Sequence, residues 1–439
     1  MATYHVGVQS DPKIYDFLPL TVPTYLPSLV SPHGEDSPHL PVAHHTQAIE
    51  LQGFSNVRPI TQPSSTGFGT TDRFEFKRND TTDVLTACIL CVELKGLIPD
   101  GGNGGVNARY HDDVLCAAID RIEFMYGDQV CQTLYGDQIH FMEEQELPED
   151  EFQRRQRMRA SGLSKQDRVT KAAANQWVYL EIPFWWTRSP AMNFHVYAFQ
   201  RQVSVNIVWR SLGYFVQQDI SNNLPTALGG GSAFFDNKYL RFLTAVPTEA
   251  TKQVYRKLVE SQGIQGWLDL IMDTYYSTDN ILPANGGVNA RETQLKLDIN
   301  KYIYNMKFVI RQRNSIVDGV ITANDRWNLY SLKEYRFLIN NQEFFPNIDD
   351  FWAKNWINGK FFLGNSQLPV YNVMFTTHPD MHSHGMGGLE FSNANDPRLC
   401  VTIGPENNLD LMVDIWGEYH NYVSKVLQDN KSAMERVVK

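Results

Sequence analysis

The sequence predicts an all-β protein of two consecutive domains, each an antiparallel sandwich or jelly roll, with short helices confined to loops. Three observations carry that prediction. The first is the stretch 177–210, WVYLEIPFWWTRSPAMNFHVYAFQRQVSVNIVWR, which reads as two strands and the corner between them. From Val203 the residues alternate: Val203, Val205, Ile207 and Trp209 share one face, while Ser204, Asn206 and Arg210 point the other way, the period of a half-buried strand. The second is composition, since 12% aromatic residues with 29 Gly and 21 Pro lean towards many strands joined by turns. The third is length: 439 residues suit two domains of about 200 residues, either able to bury a full core.

Charge and cysteine content narrow the function classes. A formal charge of −10 argues against a general duplex-binding surface, because affinity for phosphates comes from a local excess of Lys and Arg. Five cysteines make no disulfide framework and fit a reducing compartment. Cys88 and Cys91 have a C-x-x-C spacing, but inside a strand-like run positions three apart face opposite ways, so both are expected as core thiols. The N-terminus has no basic region followed by an apolar run, and no apolar run reaches membrane-spanning length, so a soluble chain made in the cytoplasm is expected.

Taken in order, residues 1–40 are rich in Pro, Ser and His and read as an extended arm. Residues 41–215 then form a first domain. RFEFKRN (73–79), DVLTACILCVELKGL (83–97) and AIDRIEFMYGDQ (118–129) are strand-like, and PDGGNGGVNARYHDD is a glycine-rich surface loop without the Lys-Ser/Thr of a phosphate loop. Trp177 to Trp186 is expected as a deeply packed strand, with a break at Arg188, Ser189 and Pro190. Residues 143–160, EEQELPEDEFQRRQRMRA, predict one helix with Pro148 in its first turn, acids at its start and Arg154, Arg155, Arg157 and Arg159 on a solvated face at its end; Gly162 stops it.

The polar, glycine-rich residues 216–232 are the expected linker, and 233–439 the second domain. There DNKYLRFLTAVP reads as a strand, Thr248 caps a short helix EATKQVYRKLVE, and six strand-like segments follow: GWLDLIMDTYY, KYIYNMKFVIRQ, EYRFLINNQEFF, YNVMFTT, RLCVTIG and DLMVDIWGEYHNYVSKVL. NGGVNAR occurs at 103–109 and again at 285–291, weak support for a duplicated domain; both copies are expected as exposed loops.

Several segments together resemble the major capsid proteins of nucleocytoplasmic large DNA viruses, the iridovirus, phycodnavirus and mimivirus group. TDRFEFKRNDTTDVLTACILCVELKGL is similar to their first strand pair, with Arg78-Asn79-Asp80 at an Arg-Asn-Gly-Asp turn. Tyr126-Gly127-Asp128-Gln129 and Tyr135-Gly136-Asp137-Gln138 stand where the family has a Gly-Gly-Gln turn and a Tyr-Gly-Asp-Trp segment, Gln138 replacing the Trp. Ser189-Pro190-Ala191 takes the place of an Asn-Pro-Gly turn and Gln200-Arg201-Gln202-Val203 that of a Tyr-His-Glu-Val ending; Phe391, Ser392, Asn395 and Asp396 match a late element. The matches run in order from about residue 68 to 423. The resemblance implies two tandem eight-stranded antiparallel jelly rolls, packed as a homotrimer into pseudo-hexagonal capsomers that tile an icosahedral virion shell. It further implies neighbouring capsomers, minor capsid and penton proteins and the inner membrane of the virion as partners, no direct nucleic-acid binding, no cofactor, and assembly in the host cytoplasm.

Sharper chemistry has few candidates, and no catalytic residue is expected. His378, His382 and His384, near Asp380, form the best metal-like cluster, in the loop-like segment THPDMHSHGMGG and with a spacing that fits no established motif. They keep a cupin-like metal-dependent enzyme as a rival, and the aromatic content keeps a jelly-roll carbohydrate-binding protein as another. Asp349 and Asp350 are adjacent and would point apart on an extended chain. Asn79-Asp80-Thr81 and Asn430-Lys431-Ser432 are glycosylation sequons, expected to be unused without a secretory signal.

Overall fold

A computed structural model describes residues 14–16, 46–57, 70–76, 84–188, 193–196 and 202–437, the last span interrupted at 221–222, 230–233, 248–266, 285–288, 314–325, 377–387, 405–408 and 429–430. Eight main strands build the first half: β1 (Thr46–Val57), β2 (Thr71–Phe76), β3 (Val84–Leu94), β4 (Ile119–Tyr126), β5 (Gln129–Tyr135), β6 (Gln176–Glu181), β7 (Val203–Trp209) and β8 (Phe235–Pro247). They lie in two antiparallel sheets, ordered β1-β8-β3-β6 and β2-β7-β4-β5. The second half has β9 (Trp267–Leu282), β10 (Arg291–Lys296), β11 (Tyr302–Gln312), β12 (Glu334–Ile339), β13 (Gln342–Asp349), β14 (Val370–Met374), β15 (Arg398–Ile403) and β16 (Leu411–Gln428). Their orders are β9-β16-β11-β14 and β10-β15-β12-β13. Adding eight to each strand number of the first half reproduces the second. These are two jelly rolls in tandem, each first-named sheet being extended by short strands such as Phe194–His195 and Leu389–Glu390.

Each barrel is filled from the inner faces of its two sheets. In the first, Val203, Val205, Ile207 and Trp209 of β7 are all buried, as their alternation requires, and Phe124 of β4 meets Phe184, Trp185 and Phe194 with ring centroids 5.3, 5.0 and 5.3 Å away. In the second, Phe308, Tyr335, Phe337, Val401 and Ile415 belong to one buried cluster. Cys88 and Cys91 are buried, and burial pushes both thiols up, in keeping with core residues.

The chain departs from the sequence expectations at several elements. Phe235–Pro247, placed by composition in the second half, is inserted between β1 and β3 of the first, where Phe242 pairs with Ser55 and Cys88. The glycine-rich stretch before it is punctuation inside one barrel: Val216–Asp219 pairs with Val106–Tyr110, and Thr226–Ala227 with Leu97–Ile98. Sheet membership changes after Pro247, because long-range pairing and not local composition selects a strand's sheet. Only Gln176–Glu181 of the aromatic run at 177–186 is a strand; Trp185–Thr187 forms a 3-10 turn that drives Trp186 into the core.

The helix expected over 143–160 is two helices, α2 (Gly136–Glu146) and α3 (Glu149–Arg159), preceded by the short α1 (Val114–Ala118). Pro148 is the N-cap of α3, since its ring cannot continue α2, and Ala160 closes α3 in the left-handed region at φ 54°. EYRFLINNQEFF is a hairpin and not one strand, turning at Asn340 and Asn341 with φ of 57° and 58°, the two-residue turn for which Asn is a favoured non-glycine residue. The first NGGVNAR copy enters the strand Val106–Tyr110 with Ala108 buried; of the second copy only 289–291 is described. The predicted helix EATKQVYRKLVE, the Ser189-Pro190-Ala191 turn and most of the 1–40 arm lie outside the described residues.

Candidate functional site

The structure gathers its buried charge where the first barrel meets the second. β5 ends at Tyr135, and the chain turns at once into α2, which is only possible with glycine at 136: a Cβ there would sit 2.2 Å from the Cys116 carbonyl oxygen and 2.4 Å from that of Ile119. α2 then buries nearly all of its side chains. Phe141 packs with Val309, Val370 and Trp416 of the second barrel, and Tyr135 lies against Tyr276 with centroids 4.4 Å apart. Gln138 Nε2 donates to Thr274 Oγ1 at 3.0 Å, and the amides of Gly364 and Asn365 donate to the carbonyls of Gln145 and Glu144, both at 2.8 Å. One helix of the first barrel is thus seated on the outer sheet face of the second.

Asp137 is the centre of this seam. It accepts from Arg326 Nη2 at 2.7 Å, from Arg210 Nη1 at 2.9 Å, and lies 3.0 Å from Arg311 Nη1. Burial alone would raise its carboxyl; Arg210, Arg326 and Arg311 override that and hold it well below the usual carboxylate range. Arg311 is raised against its own burial by Asp414, whose Oδ2 accepts from Nε at 2.9 Å, and by Asp137. Arg326 moves the other way: burial and the like charges of Arg210 and Arg311 outweigh Asp137 and bring it down to about 10.

A second cluster lies on the first-barrel side. His140 Nδ1 is 2.7 Å from Asp113 Oδ2, and Arg159 Nη1 is 3.1 Å from both Asp113 and Glu143. Burial opposes ionisation of Asp113, yet Arg159 and the His140 hydrogen bond lower it to about 2. Trp327 spans the two sides, stacking on His140 at 3.9 Å while its Nε1 donates to the Asp112 carbonyl at 2.8 Å. Lys307 pairs with Glu146, and Arg188 lies 3.8 Å from Glu418.

This arrangement fixes the orientation of the two barrels. Asp137, Arg311, Asp414 and Asp113 are sealed from solvent, and the void beside Tyr110, His111 and Arg168 measures about 10 Å3, room for one water. Of the four arginines expected on a solvated helix face, Arg154 and Arg157 are exposed, but Arg155 reaches Glu143 at 2.5 Å and Arg159 is fully buried; the helix repeat turns them inward. Asp349 caps a helical turn by accepting from the Trp352 amide at 2.7 Å, and Asp350 holds Lys354 at 2.9 Å, so both carboxylates have structural work. His378, His382, His384 and Asp380 lie outside the described residues, as does the sequon Asn79-Asp80-Thr81. Among the described residues, no three His, Cys, Asp or Glu side chains gather as metal ligands would.

Asp137 stood in a segment singled out by resemblance, but its arginine partners carried no local signal. Arg210, Arg311 and Arg326 are far away in sequence; Arg326 alone is 189 residues from Asp137. Only the fold brings them together.

Strand order and the fixed seam define a double jelly-roll protein. No protein-family model matches the chain, and no curated protein matches it by sequence. Solved structures do. The chain is similar to PBCV-1 VP54, as fitted into a cryo-EM reconstruction of the virophage Sputnik, with a TM-score of 0.66 and 14% identity, covering 89% of this chain and 98% of that one. It is similar to the PBCV-1 capsid protein in a quasi-atomic capsid model (TM-score 0.68, 14% identity, the same coverage) and to the Faustovirus major capsid protein (0.63, 11%, 86% and 91%). At such identities the likeness is one of fold.

Proposed function

We infer that this chain is the major capsid protein of a large DNA virus, a structural protein of the virion shell that catalyses nothing. The observation that carries the reading is the duplicated strand order joined by a charge-locked seam, over a length that spans nearly all of the PBCV-1 and Faustovirus capsid proteins. A shell subunit must present fixed geometry in many copies. Closed barrels leave few open strand edges, which keeps an abundant protein from random pairing. A buried ionic seam suits the same need: desolvating so many charges adds little net stability, but they are satisfied in one relative orientation of the barrels only.

The assembled unit in this reading is a homotrimer, so that six barrels form a pseudo-hexagonal capsomer, tiled with neighbouring capsomers and minor proteins into an icosahedral shell made in the host cytoplasm. In the matching domain scheme, residues up to Pro247 form the first barrel and the chain from Trp267 the second. Negative-stain imaging of purified protein tests the proposal. Threefold particles of hexagonal outline are expected, and compact monomers at all concentrations would overturn it.

A further inference from the structure

We propose that the exposed aromatic stretch after β13 is the contact by which a second copy of this chain binds, and that it docks on the outer face of that copy's first barrel. The argument comes from comparing the two barrels strand by strand. In the first barrel, β5 and the helix that follows it are covered by the outer face of the second barrel's β9-β16-β11-β14 sheet. The equivalents in the second barrel are β13 and the helical stretch 350–361, which buries Ala353, Lys354, Ile357 and Asn358 against its own barrel and leaves its other side exposed. Phe344, Phe351, Trp352, Trp356 and Leu363 are 49, 73, 48, 43 and 77% exposed. Trp352 and Trp356 stack at 5.1 Å, and Lys360 lies 4.7 Å over Trp356.

The receiving face is open at one end, beside the part of β6 that α3 covers through Arg154 and Arg155 to Glu181. The second barrel's outer sheet face is buried at Val309, Val370 and Trp416, whereas the first barrel's equivalent strands β3, β6 and β8 leave Trp177 exposed and Tyr179 and Tyr239 half-buried beside it. Trp177 lies 5.6 Å from Tyr239, and the pairing of Cys91 with both Tyr179 and Tyr239 puts these two tyrosines on one level of one face. The joint inside the chain is head to tail, so it leaves one free end and one free receiver. A head-to-tail contact that repeats between copies closes into a ring when its rotation permits.

Area sets the scale of the contact. At roughly 150–250 Å2 per aromatic side chain, the exposed parts of Phe351, Trp352 and Trp356 present on the order of 350 Å2 of apolar surface, within the range of a monomer's largest patch. That is a little under half of the ~800 Å2 one partner gives to a standard stable interface, the size of an apolar centre set within a polar rim. The partner's identity rests on the capsid reading, and the experiment separates the two.

Full-length protein is compared by native mass spectrometry with Trp352→Ala/Trp356→Ala, which alters the end, and with Trp177→Ala/Tyr239→Glu, which alters the receiver. Wild type is expected as trimer and each variant as monomer, with unchanged circular dichroism. An equimolar mixture of the two variants retains one intact joint and is expected to give one-to-one dimers. Independently of any folding defect, Trp356→Cys mixed with Trp177→Cys is expected to form an intermolecular disulfide under mild oxidation, against a background kept low because all five native cysteines are buried. Trimers that persist in both variants without the cross-link would overturn this contact and leave the capsid reading standing. A wild type that never associates would overturn both.

Discussion

Asp137 and Arg326 form a bidentate pair across the barrel seam, with Nη2 2.7 Å from Oδ2 and Nε 3.2 Å from Oδ1. The acid belongs to the first residues of a helix in one barrel, and the base to the connection between β11 and β12 of the other. Asp137→Asn leaves Arg210, Arg311 and Arg326 facing a neutral amide, and breaking one partner out of a buried set costs roughly 3–5 kcal/mol. Urea unfolding is expected to show that loss, and an unchanged midpoint would mean that the cluster is compensated elsewhere.

Acid should weaken both buried clusters, the seam around Asp137 and the first-barrel cluster around Asp113, in a defined window. A carboxylate held low in the folded chain contributes stability that is fully present above its unfolded value of about 3.9, and that contribution is lost as pH falls through the folded value. For Asp113 the folded value is about 2, and Asp137 is likewise depressed. Thermal midpoints measured across pH are expected to include this loss between about pH 4 and 2, and Asp113→Asn should flatten the profile there.

Gly364→Ala tests how closely the barrels approach. A Cβ at this position would lie 2.3 Å from the Glu144 carbonyl oxygen and 2.6 Å from that of Gln145, backbone that cannot swing aside. Overpacking of this kind costs about 1–3 kcal/mol. Hydrogen exchange is expected to rise at Gly364 and Asn365, whose amides bridge the seam, before it rises in either barrel core.

The hairpin turn at Asn340 and Asn341 gives a local test. Both residues are left-handed, a region that costs a branched side chain about 1–2 kcal/mol more than Gly. Asn341→Val should therefore lower the unfolding midpoint, and Asn341→Gly should hold or raise it.

What the sequence displayed, and what it hid, follows from the range of each interaction. The period of β7 was legible because each of Val203, Val205, Ile207 and Trp209 is sorted by its own polarity. The fold class was legible for the same reason, repeated over many strands. Arg210 was read as pointing away from the core, and so it does, but what lies on that side is Asp137 and not water. No window of sequence contains both. The turn at Asn340-Asn341 had a local signature that the surrounding aromatic run masked, and the boundary was misplaced because glycine-rich residues mark a loop equally well within a barrel as between two.

The position of β8 also sets the order in which a ribosome can deliver this fold. Its lane between β1 and β3 stays vacant until Pro247 has been translated, on the order of 10–30 s after Leu94 at bacterial-to-eukaryotic synthesis rates of about 5–20 residues per second. Through that interval both flanking strands are open edges able to capture another nascent chain. Crowded expression should therefore be most hazardous before the first barrel closes, and a chaperone that shields β1 and β3 would raise the yield more than one that acts on the finished chain.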